Sequence, residues 1–417
     1  MNLLQTSQSN NAIVVELANV RPHPNADRLK VATVLGTQVV VGLDAKDGDV
    51  MVYFDSNLCL SHEYLRSNNL YSNPDMNLDT SKKGYFGSNG RVKSQRFRGE
   101  VSNGYVASLS SIIRIGPVRE GLHWNYDMIP EDILHVGDEF THVGGVPICM
   151  KYTPDVNPRC GSTSTGKKNK RVKRNRVNSD MFWKHWDTKH LMRENHRIPQ
   201  GEYLYVEEKI HGTSGRTGKV LCTIDRPRWK FWIPKQQWRV VSGTRRTDHI
   251  NAHMSAERRE VHEKLAPHLR KGEEVYYEIY GYSKGGKPVQ KRFSYGCKPD
   301  QYKVMLYRVT LTTPDGFSVD LPRRQVYQRA KELGLECPVV LFDGCFDPID
   351  QHHRWEDLLD LAKGKSQLDA GTLREGIVVW FTDAYGQWGC LKHKSEEFLM
   401  QESKDRDSGV DDVEDLL

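Results

Sequence analysis

The sequence predicts an α+β chain with a small β-barrel first and a mixed α/β domain second. Short β-branched runs separated by turn residues fill residues 1–150. A basic stretch with proline and glycine interrupts them at 151–178, and from 179 strand-like runs alternate with helical ones. At roughly 100–200 residues per domain, a chain of 417 residues holds two or three.

In the first part, strands are predicted at Ile13–Leu17, Lys30–Val34, Gln38–Gly42 and Asp49–Phe54. Pro22, Pro24, Gly36 and Asp47-Gly48 punctuate them at the short spacing of a small barrel. Residues 71–104 read as loop, and strand returns at Gly104–Ile115. The run 167–176 holds seven basic residues and no acidic one, the signature of a solvated linker that repels itself. In the second domain, 179–400, strands are predicted at Tyr203–Lys209, Glu274–Tyr280, Lys303–Leu311, Pro338–Phe342 and Glu375–Phe381. Helices are predicted at Ala256–Leu269, Arg323–Leu333, Trp355–Ala362 and Ser395–Met400. Residues 401–417, with seven acidic and two basic side chains, read as a frayed tail.

Composition narrows the function classes. Mean hydropathy is −0.65. No apolar run reaches the ~18 residues of a membrane span, and the first ten residues lack the pattern of a secretory signal. Eight cysteines without a C-x-x-C pair suit reduced, buried thiols in the cytoplasm, or the nucleus of a eukaryotic cell. The histidines at 185, 190, 196, 352 and 353 lack metal-ligand spacing. A net charge of +6 is compatible with a polyanionic partner.

The run from Pro22 to Leu29, P-H-P-N-A-D-R-L, reads by itself as a turn between strands. Together with the following strands, V-V-V-G at 39–42 and Ser102-Asn103-Gly104, it resembles the tRNA-binding OB-fold module found beside some synthetases. Such barrels bind nucleic acid through a basic rim and stacking aromatics. Tyr53, Phe54, Tyr85, Phe86, Arg91, Lys93, Arg96, Phe97 and Arg98 are the candidates.

The strongest signal lies further on. A predicted strand ends Glu207-Glu208-Lys209, and a turn at Gly212 follows. Downstream come Glu278 inside an apolar strand, Tyr307 inside another, Glu375 at a strand start, and Lys392 and Lys394 on one side of a last strand. Carboxylates in apolar strands need partners; the lysines or a divalent metal can supply them. This ordered set, from Glu207 to Lys394, resembles the covalent nucleotidyltransferases: RNA and DNA ligases and mRNA capping enzymes. E-K-I-H-G-T looks most like RNA ligases that seal nicks in duplex RNA. An OB module placed before the catalytic domain is similar to the fifth RNA ligase family. DNA ligases and capping enzymes carry an OB domain after the last lysine motif, and only 23 residues (417 − 394) follow it here.

The resemblance implies an ATP-grasp-like transferase domain. Lys209 is the nucleophile taking AMP from ATP, and Lys392 and Lys394 neutralise the transferring phosphoryl group. Glu208 accepts from the adenine amine, Gly212 makes the turn, and Tyr307 stacks on adenine. Glu278 and Glu375 hold Mg²⁺ or Mn²⁺, Glu375 also contributing to the nucleotide site. An arginine should hold ribose or the 5′ phosphate; Arg245 is favoured, with Arg226, Arg228 and Arg239 competing. This sequence departs from the pattern at Ser214, where relatives carry Asn, and at Arg308, where Asp often follows the aromatic. The expectation is therefore an ATP-dependent RNA ligase acting on nicked duplex RNA or tRNA, monomeric and not bound to membranes, alongside end-healing enzymes in RNA repair. The competing readings are a non-catalytic RNA-binding protein with a degenerate second domain, a DNA ligase, and a capping enzyme.

Overall fold

The computed structural model of the chain describes residues 3–4, 10–113, 134–153, 176–177, 181–224, 226, 229, 232–245, 248, 254–349 and 353–408. They fall into two units, Met1–Pro154 with Ser395–Gly409, and Asp155–Lys394 with Val410–Leu417. No helix among the described residues is long and apolar enough to cross a membrane.

In the first unit, strand Ala12–Glu16 lies between Val50–Phe54 and Glu139–Phe140, and Tyr105–Ser108 pairs on the outer side of Val50–Phe54. Ala18–Pro22, Leu29–Val34 and Thr37–Gly42 form a separate meander, and Ser94–Phe97 pairs with Glu100–Asn103. Among the described strands these sheets do not join into the closed barrel that the sequence suggests. The 71–104 stretch read as loop contains that last hairpin. The strand expected to run to Ile115 gives way to a helical turn, Ser110–Ile113.

The P-H-P-N-A-D turn is a latch. His23 is buried, its Nε2 lies 3.0 Å from the Phe97 carbonyl oxygen, and its Nδ1 accepts from the Asn25 N–H. Several proposed nucleic-acid residues are core instead: Tyr53, Phe54 and Phe86 are buried, and so is Arg91. Tyr53 and Phe54 are consecutive in their strand and face opposite sides, each into its own apolar cluster, Phe86 packing with Phe54. Arg91 is taken by the C-terminal helix.

The helix expected at Ser395–Met400 runs on to span Glu396–Asp407, through the start of the stretch where the sequence suggested a fraying tail. Ser395 caps it by accepting from the Phe398 N–H, Glu396 and Glu397 occupy the first turn, and Lys404 and Arg406 the last. This charge order suits the helix dipole. It buries Phe398 and Met400 and is also held by polar contacts to the first unit. Arg91 donates to Asp407 at 2.7 Å, Lys93 Nζ lies 3.0 Å from Asp407, and the Ser94 N–H donates to Ser403 Oγ at 3.0 Å.

The second unit is built on two sheets. One orders Arg176–Val177, Thr213–Thr223, Glu273–Gly281, Tyr302–Thr312 and Ser318–Asp320, with Gln236–Gly243 also paired to Thr213–Thr223. Helices Ala256–Leu265 and Arg323–Glu332 cover its outer face through Val261, Leu265, Val326 and Ala330. The other orders Lys189–His190, Trp388–Lys394, Gly376–Thr382, Tyr203–Lys209 and Val340–Cys345. Its outer face packs Leu204, Val206, Ile377 and Val379 against helix Trp355–Asp360. The turn 210–212 carries the chain from one sheet to the other. Of the predicted linker, only 151–153 and 176–177 lie within the described residues.

Candidate active site

Cross-strand register gathers the site. Lys209, Gly376 and Lys394 are neighbours across three strands, and Glu207, Val378 and Lys392 form the next rank. A Cβ at Gly376 would lie 2.1 Å from the His393 carbonyl oxygen, so only glycine lets the outer strands approach here. Glu375 precedes it, its side chain only 2% exposed. Its Oε2 accepts from Lys209 Nζ at 2.8 Å, and its Oε1 lies 3.6 Å from Lys394 Nζ. His211 Nδ1 is 3.8 Å from Oε2. One buried carboxylate thus faces two lysines and a histidine, which offsets the cost of burying it.

Lys392 carries the clearest electrostatic mark. Burial, then the neighbouring Lys394, Lys209 and Arg245, depress its pKa to about 8 against a smaller opposing pull from Glu375. Arg245 is therefore close enough to act on this group, and its guanidinium pairs with Asp187. Of the competing arginines, Arg228 lies outside the described residues.

Glu278 comes from the neighbouring sheet, opposite Ser214 in register. It is pressed against the turn: a Cβ at Gly212 would lie 2.9 Å from Glu278 Cγ and 2.3 Å from the Ile279 carbonyl oxygen. Tyr307 owes its position to a β-bulge. Tyr276 faces Arg308 and Tyr277 faces Leu306, so Tyr307 is the extra residue. The bulge turns Tyr307 and Arg308 to the same inner side. Tyr307 meets the His185 ring edge-on at 5.3 Å. Arg308 stacks on Trp186 at 3.6 Å and binds Asp320 through two nitrogens, which occupies the position where Asp would stand in the motif.

Glu208 alternates to the other side of its strand from Lys209. Its Oε2 accepts from the Gln367 N–H at 2.9 Å, while Oε1 is buried without a hydrogen-bond partner. A buried acceptor left open is costly, and a ligand N–H would satisfy it. Among the described residues no three His, Cys, Asp or Glu side chains converge as a metal cage.

The structure adds residues that the sequence reading missed. Glu207 belongs to a buried network, accepting from Arg323, from Tyr327 and, at 3.0 Å, from Trp380 Nε1. Segment 181–188, without regular structure, lies along the inner face. The Trp183 N–H donates to Glu274, and Trp186 donates to Cys390. His185, assigned by its spacing to ordinary surface or core, sits beside Tyr307 with its pKa held well below the usual range by burial and by Arg308, Arg245 and Lys392. Arg258 donates to the Ser214 carbonyl and to Thr213 Oγ1, both at 2.9 Å, bracing the strand after the turn. None of these has a signal in residue spacing, because each partner is distant in sequence.

No protein-family model and no curated protein matches the sequence. Solved structures do match the fold. A mutant of Naegleria gruberi RNA ligase with ATP and Mn aligns at TM-score 0.55 and 17% identity, over 95% of this chain and 99% of that one. The same organism's RNA ligase with PPi aligns at TM-score 0.56 and 17% identity, covering 94% and 98%. A further mutant with AMP and Mn gives 0.57 and 16%, again covering 94% and 98%. At these identities the likeness establishes the fold, and this chain shares it over nearly its whole length with those ligase structures.

Proposed function

We propose that this chain is an ATP-dependent RNA ligase that joins 3′-OH to 5′-phosphate ends, at nicks in duplex RNA or RNA-containing duplex. One observation carries the reading: Lys209 ends its strand hydrogen-bonded to buried Glu375, with Lys394 in register beside it and Lys392 one rank along. Supporting it is a fold shared with an RNA ligase whose structures hold ATP, AMP or PPi.

Lys209 Nζ, once deprotonated, attacks the α-phosphorus of ATP; an N–P bond forms and the P–O bond to pyrophosphate breaks. The AMP then passes to a 5′-phosphate end, and a 3′-OH displaces it, forming the phosphodiester. Glu375 orients Nζ. Lys392 and Lys394 bring positive charge to the phosphoryl oxygens. Buried Glu208 Oε1 suits the adenine amine, Tyr307 the adenine face, and Arg245 the ribose or 5′ phosphate. The carboxylate oxygens of Glu278 and Glu375 are the hard donors that Mg²⁺ or Mn²⁺ prefers, and the ion would neutralise charge on the phosphates. The first unit, as an OB-like module, would position the RNA; Tyr85, 51% exposed, and Phe97 lie 5.5 Å apart there, beside exposed Arg96 and Arg98.

The test is label transfer from α-labelled ATP to the protein with Mg²⁺, on a denaturing gel, beside Lys209→Ala. An acid-labile label on the wild type alone is the expected result. No label on folded wild type, with no ATP formed on adding pyrophosphate, would sink the ligase reading in favour of RNA binding without catalysis.

A further inference from the structure

The loop that follows the Glu278 strand folds back onto the turn after Lys209. The Val289 N–H donates to the Gly281 carbonyl oxygen, returning the chain toward the site. Gln290, buried, then donates to the Gly212 carbonyl oxygen at 2.9 Å. The Phe293 ring meets His211 edge-on at 4.9 Å. Tyr295 is buried, and its hydroxyl accepts the His211 N–H at 2.8 Å. Beyond it, the Gly296 N–H reaches Asp369, two residues from the Gln367 N–H that holds Glu208. The loop thereby ties two peptide groups of the turn to the strand carrying Glu278 and to the segment supporting Glu208.

Its backbone is strained to do so. Arg292 has φ +73°, Tyr295 +49° and Asp300 +64°. Left-handed backbone is unfavourable for a bulky aromatic, and such outliers persist only where surroundings impose them. A glycine at 295 would relieve the backbone but could not hold the His211 N–H. The hydroxyl also lies near Glu375, Glu208 and Glu278, whose charges with burial keep it protonated well above the usual tyrosine range.

We propose that Tyr295 is a positioning residue for the Lys209 nucleophile: by fixing the peptide two residues beyond it, the hydroxyl sets where Nζ meets the α-phosphate. This rests on the ligase reading above. A residue acting only on the lysine matters for forming lysyl-AMP. It does not matter for sealing RNA that already carries AMP at its 5′ end, because that step makes no new bond to Lys209.

The experiment compares wild type and Tyr295→Phe, which keeps the ring packing on Tyr280 and Phe293. Two rates are measured: single-turnover adenylation from α-labelled ATP, and sealing of a nicked duplex with a pre-adenylated 5′ end. The expected result is at least a tenfold loss in adenylation, with sealing within about twofold of wild type. Equal adenylation rates, or a parallel loss in both steps, would overturn the proposal. Should the Phe variant fail to fold by circular dichroism, Gln290→Met removes the second tether and is judged by the same two rates. A wild type that neither labels nor seals overturns the ligase reading itself, and this inference with it.

Discussion

Replacing Lys392 by Met should make the protein more stable at neutral pH while disabling it. The folded chain gives up the Lys392 proton near pH 8, against 10.5 for the ordinary side chain. That difference of about 2.5 units, at about 1.36 kcal/mol per unit, makes the buried ammonium cost about 3 kcal/mol at pH 7. Between pH 8 and 10.5 the unfolded chain holds one more proton than the folded one, so wild-type stability rises with pH there. Below pH 8 both states are protonated and the full penalty stands. Met keeps the unbranched stem and removes the charge. Unfolding by urea at pH 7 should therefore show the variant more stable by up to about 3 kcal/mol, and at pH 10 the advantage should have shrunk by more than half. Adenylation should fall at least a hundredfold, the scale on which removing one group that stabilises developing charge acts. A variant that is less stable than wild type at pH 7, or whose advantage does not change with pH, would refute the electrostatic account of this site.

Other expectations follow from the same geometry. Glu207→Gln leaves the Arg323 charge buried without its carboxylate, so thermal unfolding should show a loss of about 3–5 kcal/mol, largely recovered when Arg323→Met is added. Tyr307→Ala should weaken binding of a non-hydrolysable ATP analogue by about 1–3 kcal/mol in calorimetry, while Tyr307→Phe stays near wild type. Glu208→Gln should erode discrimination between ATP and its inosine counterpart in label transfer, because the amide offers a weaker acceptor to the adenine amine; unchanged discrimination would remove Glu208 from base recognition.

How much was legible beforehand depended on whether local pattern or distant contact set the feature. Strand Tyr203–Lys209 was readable to the residue, because its apolar run ends where the charged pair and turn begin. The long strands Thr213–Thr223 and Gln236–Gly243 were missed; glycine, threonine and charged residues hide their alternation, and pairing supplies what propensity does not. Lys209, Glu278, Glu375, Lys392 and Lys394 were singled out by their order along the chain, which resembles that of the covalent nucleotidyltransferases; strand spacing alone placed only Lys392 and Lys394 on one side. Tyr295, His185 and Arg258 could not be singled out, since each meets the site from an irregular loop, an unstructured segment or a helix whose docking leaves no periodic trace. The bulge at Tyr307 was likewise invisible, since one extra residue in a pairing does not alter the hydrophobic pattern of either strand.

The helix Glu396–Asp407 has a consequence for how the molecule is made. The ribosome delivers it only after residues 155–394 of the second unit, yet its Ser403 and Asp407 complete the contacts of Arg91, Lys93 and Ser94, which emerged some three hundred residues earlier. The first unit must wait for the second to be synthesised before it can finish folding, against the usual order in which domains close as they appear. A fragment spanning 1–154 would then be an incomplete domain, and a circular permutant that joins the helix directly to residue 1 should fold its first unit earlier than the natural chain does.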